Sequence, residues 1–368
     1  MTKRVCHITT VHKFNDVRIF HKECISLRRA GYDVHLIAQA GENINIEGIN
    51  IHALPKIENR KDRILKLRKL ALEKAIKLNA DLYHFHDPEL IPLGLRLKNM
   101  GKKVIYDVHE DVPRQILSKP YLSKFVRPFI SKLFEAYENY AAKRFDAIVA
   151  ATPYIRNRFL RVNDNVIDVN NYPELKLYEP VNWKERLDEI CYIGRISRIR
   201  GIVELVKALE YVDTTLHLAG EFESENLKKE VMSLPEWKKV KFYGFVCREK
   251  IKKILRKVKV GVIPHLFSPN HKYGLSIKLF EYMAAGIPVV NYNFGENKKI
   301  IDESKCGLCV DTSNPKEIAK AITFLLKNDR IAQQYGKNGR KMVERKYNWE
   351  KESVKLIDIY KGVIGGKE

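Results

Sequence analysis

The chain has 368 residues, 45% of them hydrophobic, and a formal charge of +22 from 67 basic and 45 acidic side chains. That length predicts two folded domains. No apolar run reaches the roughly 18–20 residues that span a bilayer, and the opening MTKRVCHITTVHKF lacks the apolar core of a signal peptide. Basic residues outnumber acidic ones 31 to 21 over residues 1–180 and 36 to 24 over the rest. The positive field is therefore spread over the whole chain and favours anionic partners such as nucleotide sugars, acidic lipid head groups or nucleic acid.

In chain order, short apolar strands alternate with helices. Strands are predicted at 5–9, 34–38, 49–54, 82–86, 104–108, 147–151 and 166–169, with helices over 17–30, 64–78 and 121–143 among the intervening segments. The irregular stretch NNYPELKLYEPVNWKER, with Pro173 and Pro180, reads as an inter-domain linker over 173–186. A second alternation follows, with strands at 189–193, 216–219, 240–242, 260–264, 289–292 and 307–310, then helices over 315–327, 331–346 and 349–360. Such alternation means parallel, doubly wound sheets. The expected fold is α/β, with two Rossmann-like domains facing each other across a cleft. The first spans 1–172, the second spans 187–346, and 347–368 is a C-terminal helix that packs back towards the first.

Ligands of open α/β sheets gather at the carboxyl ends of the strands. Polar residues fall at such ends: Thr9–Asn15, His86, His109, Gly194–Arg195, Gly220–Glu221, Phe245 and His265. In YGLSIKLFEYMAAGIPVVN a polar loop runs into a short helix that stops at Gly286. A helix start with unpaired N–H groups suits an anion. Ser276 is placed to cap it and Lys278 adds positive charge. Glu281, about one turn further on, is a carboxylate that can accept two hydrogen bonds from a sugar diol. Together these residues describe a site for a diphosphate and a ribose; an ordinary amphipathic helix is the competing reading. Arg195, just past a strand, and Arg200, five residues on, both precede another helix start at Gly201 and suit a diphosphate in the same way.

Three further groups have a functional and a structural reading. HFHDPE places His84 and His86 on one side of a strand end, followed by Asp87, and His109, Glu110 and Asp111 follow the next strand. This could begin a metal site, but too few further ligands follow, so the segment is expected to line the cleft. VHKFNDVRIFHKE offers His12, Asp16, Arg18 and Lys22, and Arg18 and Lys22 share a helix face, either for a ligand or for solvent. The basic amphipathic stretches 61–78 and 121–134 suit an anionic membrane surface. In the second, Phe125, Phe129, Ile130 and Phe134 mix with Lys119, Lys124, Arg127 and Lys132; a packed helix is the alternative. The six cysteines (6, 24, 191, 247, 306 and 309) are too scattered for a disulfide scaffold, which implies a reducing, cytoplasmic compartment. Cys306 and Cys309 read as strand residues and not as a redox pair.

LFEYMAAGIPVV resembles the donor motif of family 4 glycosyltransferases, the retaining GT-B enzymes, in which a glutamate at the place of Glu281 holds the nucleotide ribose. YIGRISRIRGIVELVKAL is similar to their phosphate-clamp segment, and KVIYDVHED to the strand end that brings a histidine to the donor sugar. DLYHFHDPELIPLG and KYNWEKESVKLIDIY also resemble family segments. The resemblance implies a donor set of Gly194, Arg195, Arg200, Phe245, Ser276, Lys278, Leu279 and Glu281. It implies a catalytic group of His109, Asp16, Arg195 and Arg200, with His12, Arg18, His86 and His265 at the acceptor or in the cleft. Two departures stand out. No glycine-rich turn follows the first strand, and Tyr273 occupies the position of the family's usual first glutamate, so the resemblance leaves the donor sugar open.

The expected activity moves a sugar from a UDP- or GDP-sugar to a glycan or lipid-linked acceptor in envelope polysaccharide synthesis. The protein is expected at the inner face of the cell membrane, in peripheral contact with anionic lipid. No DxD-type acidic pair is placed to hold a metal on the diphosphate, so no metal or other cofactor is expected. The rivals are a nucleotide-sugar epimerase or hydrolase on the same fold and a basic nucleic-acid-binding protein. The latter lacks helix-turn-helix and RNP-like signatures, so no nucleic-acid partner is expected.

Overall fold

The computed structural model describes residues 2–57, 59–117, 119, 122–179 and 181–365. It divides into two compact units: Met1–Asn171 with Lys351–Glu368, and Tyr172–Glu350.

The first unit holds an eight-stranded sheet of β1 (Arg4–Lys13), β2 (Asp33–Gln39), β3 (Ile44–Ile46), β4 (Ile49–Leu54), β5 (Leu82–Phe85), β6 (Lys103–Val108), β7 (Ala147–Ala150) and β8 (Val166–Asp168). Their spatial order is β3-β4-β2-β1-β5-β6-β7-β8. All pairs are parallel except β3 with β4, where Ile44 lies opposite Ile51. The order reverses between β1 and β5, and their carboxyl ends carry Thr9–Lys13 and His86–Asp87. Strand β7, Ala-Ile-Val-Ala, is buried at every position, as both faces of a parallel sheet demand.

The second unit holds a six-stranded, all-parallel sheet ordered β11-β10-β9-β12-β13-β14. Its strands are β9 (Leu187–Ile193), β10 (Leu216–Ala219), β11 (Val240–Phe242), β12 (Val258–Ile263), β13 (Val289–Tyr292) and β14 (Gly307–Val310). Here the order reverses between β9 and β12, whose ends lead to Gly194–Arg195 and His265. Cys309 lies in β14 and Cys306 just before it; burial pushes their thiols up to about 12 and about 11.

Several expected boundaries change. The hairpin strand β3 was not expected from its polar, glycine-flanked sequence. Residues 19–24 form a π-turn before the helix Ile25–Arg29, where one continuous helix was expected. The helix expected over 121–143 runs Arg127–Ala142, and Tyr121 lies outside the described residues. The 61–78 segment is packed, with Leu67, Ala71 and Ala75 fully buried, so its apolar face belongs to the core. Segment 173–186 is not a free linker. Trp183 joins the core of the second unit, and the buried Arg186 guanidinium donates to the carbonyls of Leu255 (2.6 Å), Val258 (2.9 Å) and Ala285 (2.6 Å). Carbonyls at helix ends lack internal partners, and Arg186 supplies them.

The helix Trp349–Gly365 starts in the second unit, and from Lys351 onward it belongs to the first. There Glu352 accepts from the Asn170 backbone N–H at 2.7 Å and the Tyr360 hydroxyl stands 2.7 Å from His84.

Candidate functional site

In the second unit the helix Ile277–Ala284 is apolar on nearly every side and lies buried, with Leu279, Phe280, Tyr282 and Met283 in the core. It ends in a left-handed glycine, Gly286 (φ 68°), where the Ile287 N–H reaches back to the Tyr282 carbonyl at 3.1 Å. Ser276 stands at the N-cap position, but its hydroxyl makes no cap bond; its N–H instead donates to Asn297 Oδ1 at 3.1 Å. The expected capping role is thus corrected. Leu279 is corrected too: its side chain is fully buried and its N–H bonds to the Ser276 carbonyl, so it has no direct part in the site.

Lys278 is the unusual residue of this helix. It is buried, and its Nζ lies 5.2 Å from the centre of the Tyr192 ring. It also lies over Gly194 (φ 125°), where an added Cβ would come within 2.8 Å of Lys278 Cε. Glycine at 194 therefore both permits the turn after β9 and leaves room for the lysine. Burial, with the Arg200 charge beside it, pulls the Lys278 ammonium down to about 7.

Arg200 reaches the Arg195 carbonyl at 3.4 Å, and the Tyr192 hydroxyl donates to that same carbonyl at 2.7 Å, which fixes the loop. The loop is also tied to the end of β12, since the Leu266 N–H donates to the Ile199 carbonyl. Arg195 itself is exposed. His265 is 5% exposed, and neither ring nitrogen has a hydrogen-bond partner among the described residues. It stacks on His271 at 4.4 Å, and burial together with the charges of Lys278, His271 and Arg200 holds it well below the usual imidazole range. Arg200 and Lys278 lie close together with Glu281 on the same helix, and an imidazole without a hydrogen-bond partner among the described residues lies beside them. Such a group is poised for an anion.

Glu281 is half-buried and accepts from the Tyr178 hydroxyl at 3.1 Å. Tyr178 was missed by the sequence reading because it sits in a proline-bearing irregular stretch without periodicity. Phe245 is 79% exposed and borders a pocket of about 400 Å³ with Ile193, Arg195, Gly220, Glu221 and Val246. The structure thus brings Gly194, Arg195, Arg200, Lys278 and His265 together, with Phe245 sharing a pocket with Arg195 and with Glu281 on the same helix as Lys278.

In the first unit, the ends of β1, β5 and β6 gather a polar cluster. Asp87 accepts from the Thr10 N–H (2.6 Å), the Thr9 hydroxyl (2.9 Å) and the Val11 N–H (3.1 Å) and so shapes the loop after β1. Asp16 turns the chain into the next helix by accepting from the N–H groups of Arg18 (2.8 Å) and Ile19 (3.0 Å). His12 lies 3.5 Å from Asp16, and its ring centre is 5.4 Å from that of His109. Burial alone would lower His12, but the Asp16 hydrogen bond and the Asp87 charge raise it above its ordinary value. His109 Nε2 stands 3.0 Å from Asp107 Oδ2. With that nitrogen donating, Nδ1 is left as the acceptor. His12, Asp16 and His109 are therefore together and partly open.

Arg18 and His86 depart from expectation. Arg18 is 5% exposed; it forks onto Asp107 (3.0 Å) and donates to the Val169 carbonyl (2.7 Å), so it is a buried structural cation and not a ligand contact. Lys22, on the same face, is also buried and holds Asn171 at 2.5 Å. A face expected to meet solvent or ligand is turned inward because Asp107 and the chain end at 169–171 supply partners. His86 is 2% exposed and packs between His7 and His109. Burial alone would raise Asp107, but the Arg18 charge and the His109 hydrogen bond hold it well below the usual carboxylate range. Neighbouring Glu23 is pushed well above that range by burial and by the Asp107 charge.

On the helix Arg127–Ala142, Phe125 just before it and Phe129 and Leu133 within it are 93%, 69% and 61% exposed. Tyr137 and Tyr140 extend this stripe along the helix. Ile130 and Phe134, expected on the same face, are half-buried, and Phe134 packs on the core. Arg127 is also drawn in, donating to the Leu122 carbonyl at 2.9 Å. Among the described residues no helix is long and apolar enough to cross a membrane.

Comparison with known proteins agrees with this geometry. Residues 176–342 match the family model for glycosyl transferases group 1, and residues 18–169 match that for glycosyltransferase family 4. An uncharacterised glycosyltransferase of Methanocaldococcus jannaschii is 25% identical over 371 aligned residues, 91% of each chain. A phosphatidyl-myo-inositol mannosyltransferase of Mycobacterium leprae is 23% identical over 77% of this chain and 74% of its own. The solved structure of Anabaena HepE in complex with UDP and glucose has a TM-score of 0.73 at 14% identity, covering 97% of this chain and 99% of that one.

Proposed function

Because this chain belongs to the family 4 GT-B glycosyltransferases, we propose that it transfers a hexose from a UDP- or GDP-sugar to a glycan or lipid-linked acceptor in cell-envelope polysaccharide synthesis, with retention of anomeric configuration. The observation that carries the donor assignment is the buried Lys278, with Arg200 and the unpartnered His265 beside it. An isolated buried ammonium is costly, and an anionic ligand offsets that cost. The diphosphate lies among Arg195, Arg200 and Lys278, the ribose diol on Glu281, and the base in the pocket beside Phe245.

As the sugar–phosphate bond breaks, charge grows on the leaving diphosphate, and the fixed cations stabilise it without a divalent ion there. With attack and departure on one face of the sugar, the leaving phosphate itself takes the acceptor's proton. His109, held by Asp107, and the His12–Asp16 pair serve the sugar or acceptor hydroxyls. The exposed Phe125–Phe129–Leu133 stripe, with Lys124 and Lys132 nearby, supports peripheral docking on anionic lipid at the cytoplasmic face. The Mycobacterium leprae relative, whose name gives it a lipid acceptor, supports a lipid-linked one here.

The test is a thermal-shift screen of UDP- and GDP-sugars on the wild-type chain and on Arg200→Ala, followed by assay of free nucleotide release with and without acceptor. One nucleotide class should raise the melting temperature of wild type and not of the variant. Release that needs no acceptor would identify a hydrolase instead.

A further inference from the structure

Four side chains of the first unit converge behind His109, and only Asp107 among them has a part in the proposed transfer, as the support of that histidine. Glu23 comes from the π-turn, His84 from β5, His86 from the residue after it, and Asp107 from β6; one ligand atom from each lies within 4.8 Å of all the others. All four side chains are essentially without solvent contact. His86 Nδ1 stands 3.1 Å from Asp107 Oδ2 and 4.0 Å from Glu23 Oε2, and His84 Nε2 stands 3.7 Å from Asp107 Oδ2. Ligands held tetrahedrally about 2.0–2.2 Å from a zinc ion stand roughly 3.3–3.5 Å apart, so a cluster within 4.8 Å closes on an ion by contracting its widest separation by about an ångström.

The outward contacts point the same way. His84 Nδ1 meets the Tyr360 hydroxyl at 2.7 Å and His86 Nε2 meets His7 Nδ1 at 2.9 Å. If both outward nitrogens donate, the lone pairs of His84 Nε2 and His86 Nδ1 face the cluster. His7 Nε2 then donates to the Tyr360 oxygen at 3.0 Å. Metal-bound histidines are oriented by such outer hydrogen bonds. Arg18 takes Asp107 Oδ1 at 3.0 Å and Glu23 Oε1 at 2.9 Å, leaning also on Asp107 Oδ2 at 3.2 Å, and leaves Glu23 Oε2 turned inward. Glu23 Oε2 and His84 Nε2 lack a hydrogen-bond partner among the described residues. Two carboxylates against one guanidinium leave a negative centre, which a cation offsets better than a neutral ligand.

We propose that Glu23, His84, His86 and Asp107 form a buried structural site for one zinc-class divalent ion. Two imidazoles and two carboxylates suit zinc and disfavour calcium or magnesium. The ion ties the first helical segment to β5 and β6 and, through Tyr360, to the C-terminal helix. It is separate from the donor diphosphate in the other unit and takes no part in sugar transfer.

The full chain, produced in zinc-supplemented medium and exchanged into metal-free buffer, should carry about one zinc per molecule by mass spectrometry. Growth with cobalt should give the visible absorption of a tetrahedral centre. Glu23→Gln and His84→Gln should cut zinc content at least about fivefold, whereas His217→Gln in the other unit should not. Should His84→Gln fail to fold, Tyr360→Phe, which removes only a hydroxyl, should weaken zinc retention about 10- to 100-fold. A folded, nucleotide-binding wild-type chain with less than about a fifth of an equivalent of zinc overturns the proposal, as does unchanged zinc in Glu23→Gln and Tyr360→Phe. In either case Glu23 holds a proton where the ion was placed.

Discussion

Replacing Lys278 by methionine separates charge from packing at the proposed donor site. The ammonium is buried beside Arg200, and burial pulls it from its ordinary 10.5 to about 7. That displacement of roughly 3.5 pK units corresponds to about 5 kcal/mol between the two protonation states. A diphosphate beside the amine reverses the displacement, so binding takes up a proton wherever the empty site is neutral. Above pH 7 the free chain's amine is increasingly neutral while the bound one stays charged. Between pH 7.5 and 9, nucleoside diphosphate affinity should therefore fall by up to about tenfold per pH unit, and below pH 6 this group should contribute no pH dependence.

A lysine with a depressed folded value carries its full penalty below pH 7, where folded and unfolded chains are both protonated, and the penalty fades as pH rises from 7 towards 10.5. Lys278→Met should therefore raise the melting temperature of the empty protein at pH 6 and lose that gain by pH 10, while binding nucleotide more weakly and with a flatter pH profile. Calorimetry at pH 8.5 in two buffers of different ionisation enthalpy counts the protons taken up. Proton uptake near zero in the wild type, or equal pH slopes in wild type and Lys278→Met, refutes the reasoning.

Glu281→Gln should weaken nucleotide binding by about 1.5–3 kcal/mol, tenfold or more, because an amide is a poorer acceptor for a diol; unchanged affinity by calorimetry removes Glu281 from the ribose. Arg195→Ala and Arg200→Ala should each lower turnover by about 100-fold with little change in melting temperature, and turnover should survive brief EDTA treatment. A loss reversed only by a divalent ion would sink the cationic clamp. Phe125→Ser/Phe129→Ser should reduce co-sedimentation with anionic liposomes by about 100-fold or more, since each ring buries about 1.5–3 kcal/mol of apolar surface. Lys124→Glu/Lys132→Glu should weaken binding at low salt, by about 1 kcal/mol per basic residue removed, and flatten its fall as salt rises. Equal binding by all three proteins excludes this helix as the docking face.

Strand identity was legible because a parallel sheet needs apolar runs on both faces, and Leu216–Ala219, Val289–Tyr292 and Gly307–Val310 are bounded as periodicity and glycine placed them. The cationic cluster of the second unit was legible for a related reason. Arg195, Lys278 and His265 follow strand ends or helix starts, which topology brings to one edge. What stayed hidden depended on partners distant in sequence. Arg18 and Lys22 look like solvent-facing cations until Asp107, Val169 and Asn171 arrive to bury them. Tyr178 lies in an irregular segment, and nothing local says that its hydroxyl ends on Glu281, 103 positions away. The exposed stripe at 125–140 was half legible: the aromatic content was plain, but which side met the core depended on where the helix began.

The helix Trp349–Gly365 gives the first unit a beginning and an end separated by the whole of the second. A ribosome releases residues 1–171 long before Tyr360 exists. During synthesis His7 and His84 therefore wait without the hydroxyl that joins them, while the second unit, contiguous from Tyr172 to Glu350, can close as soon as it emerges. The domain translated first is the one completed last. A premature stop that removes only the final dozen residues would thus injure the amino-terminal unit of the protein and leave the second unit intact.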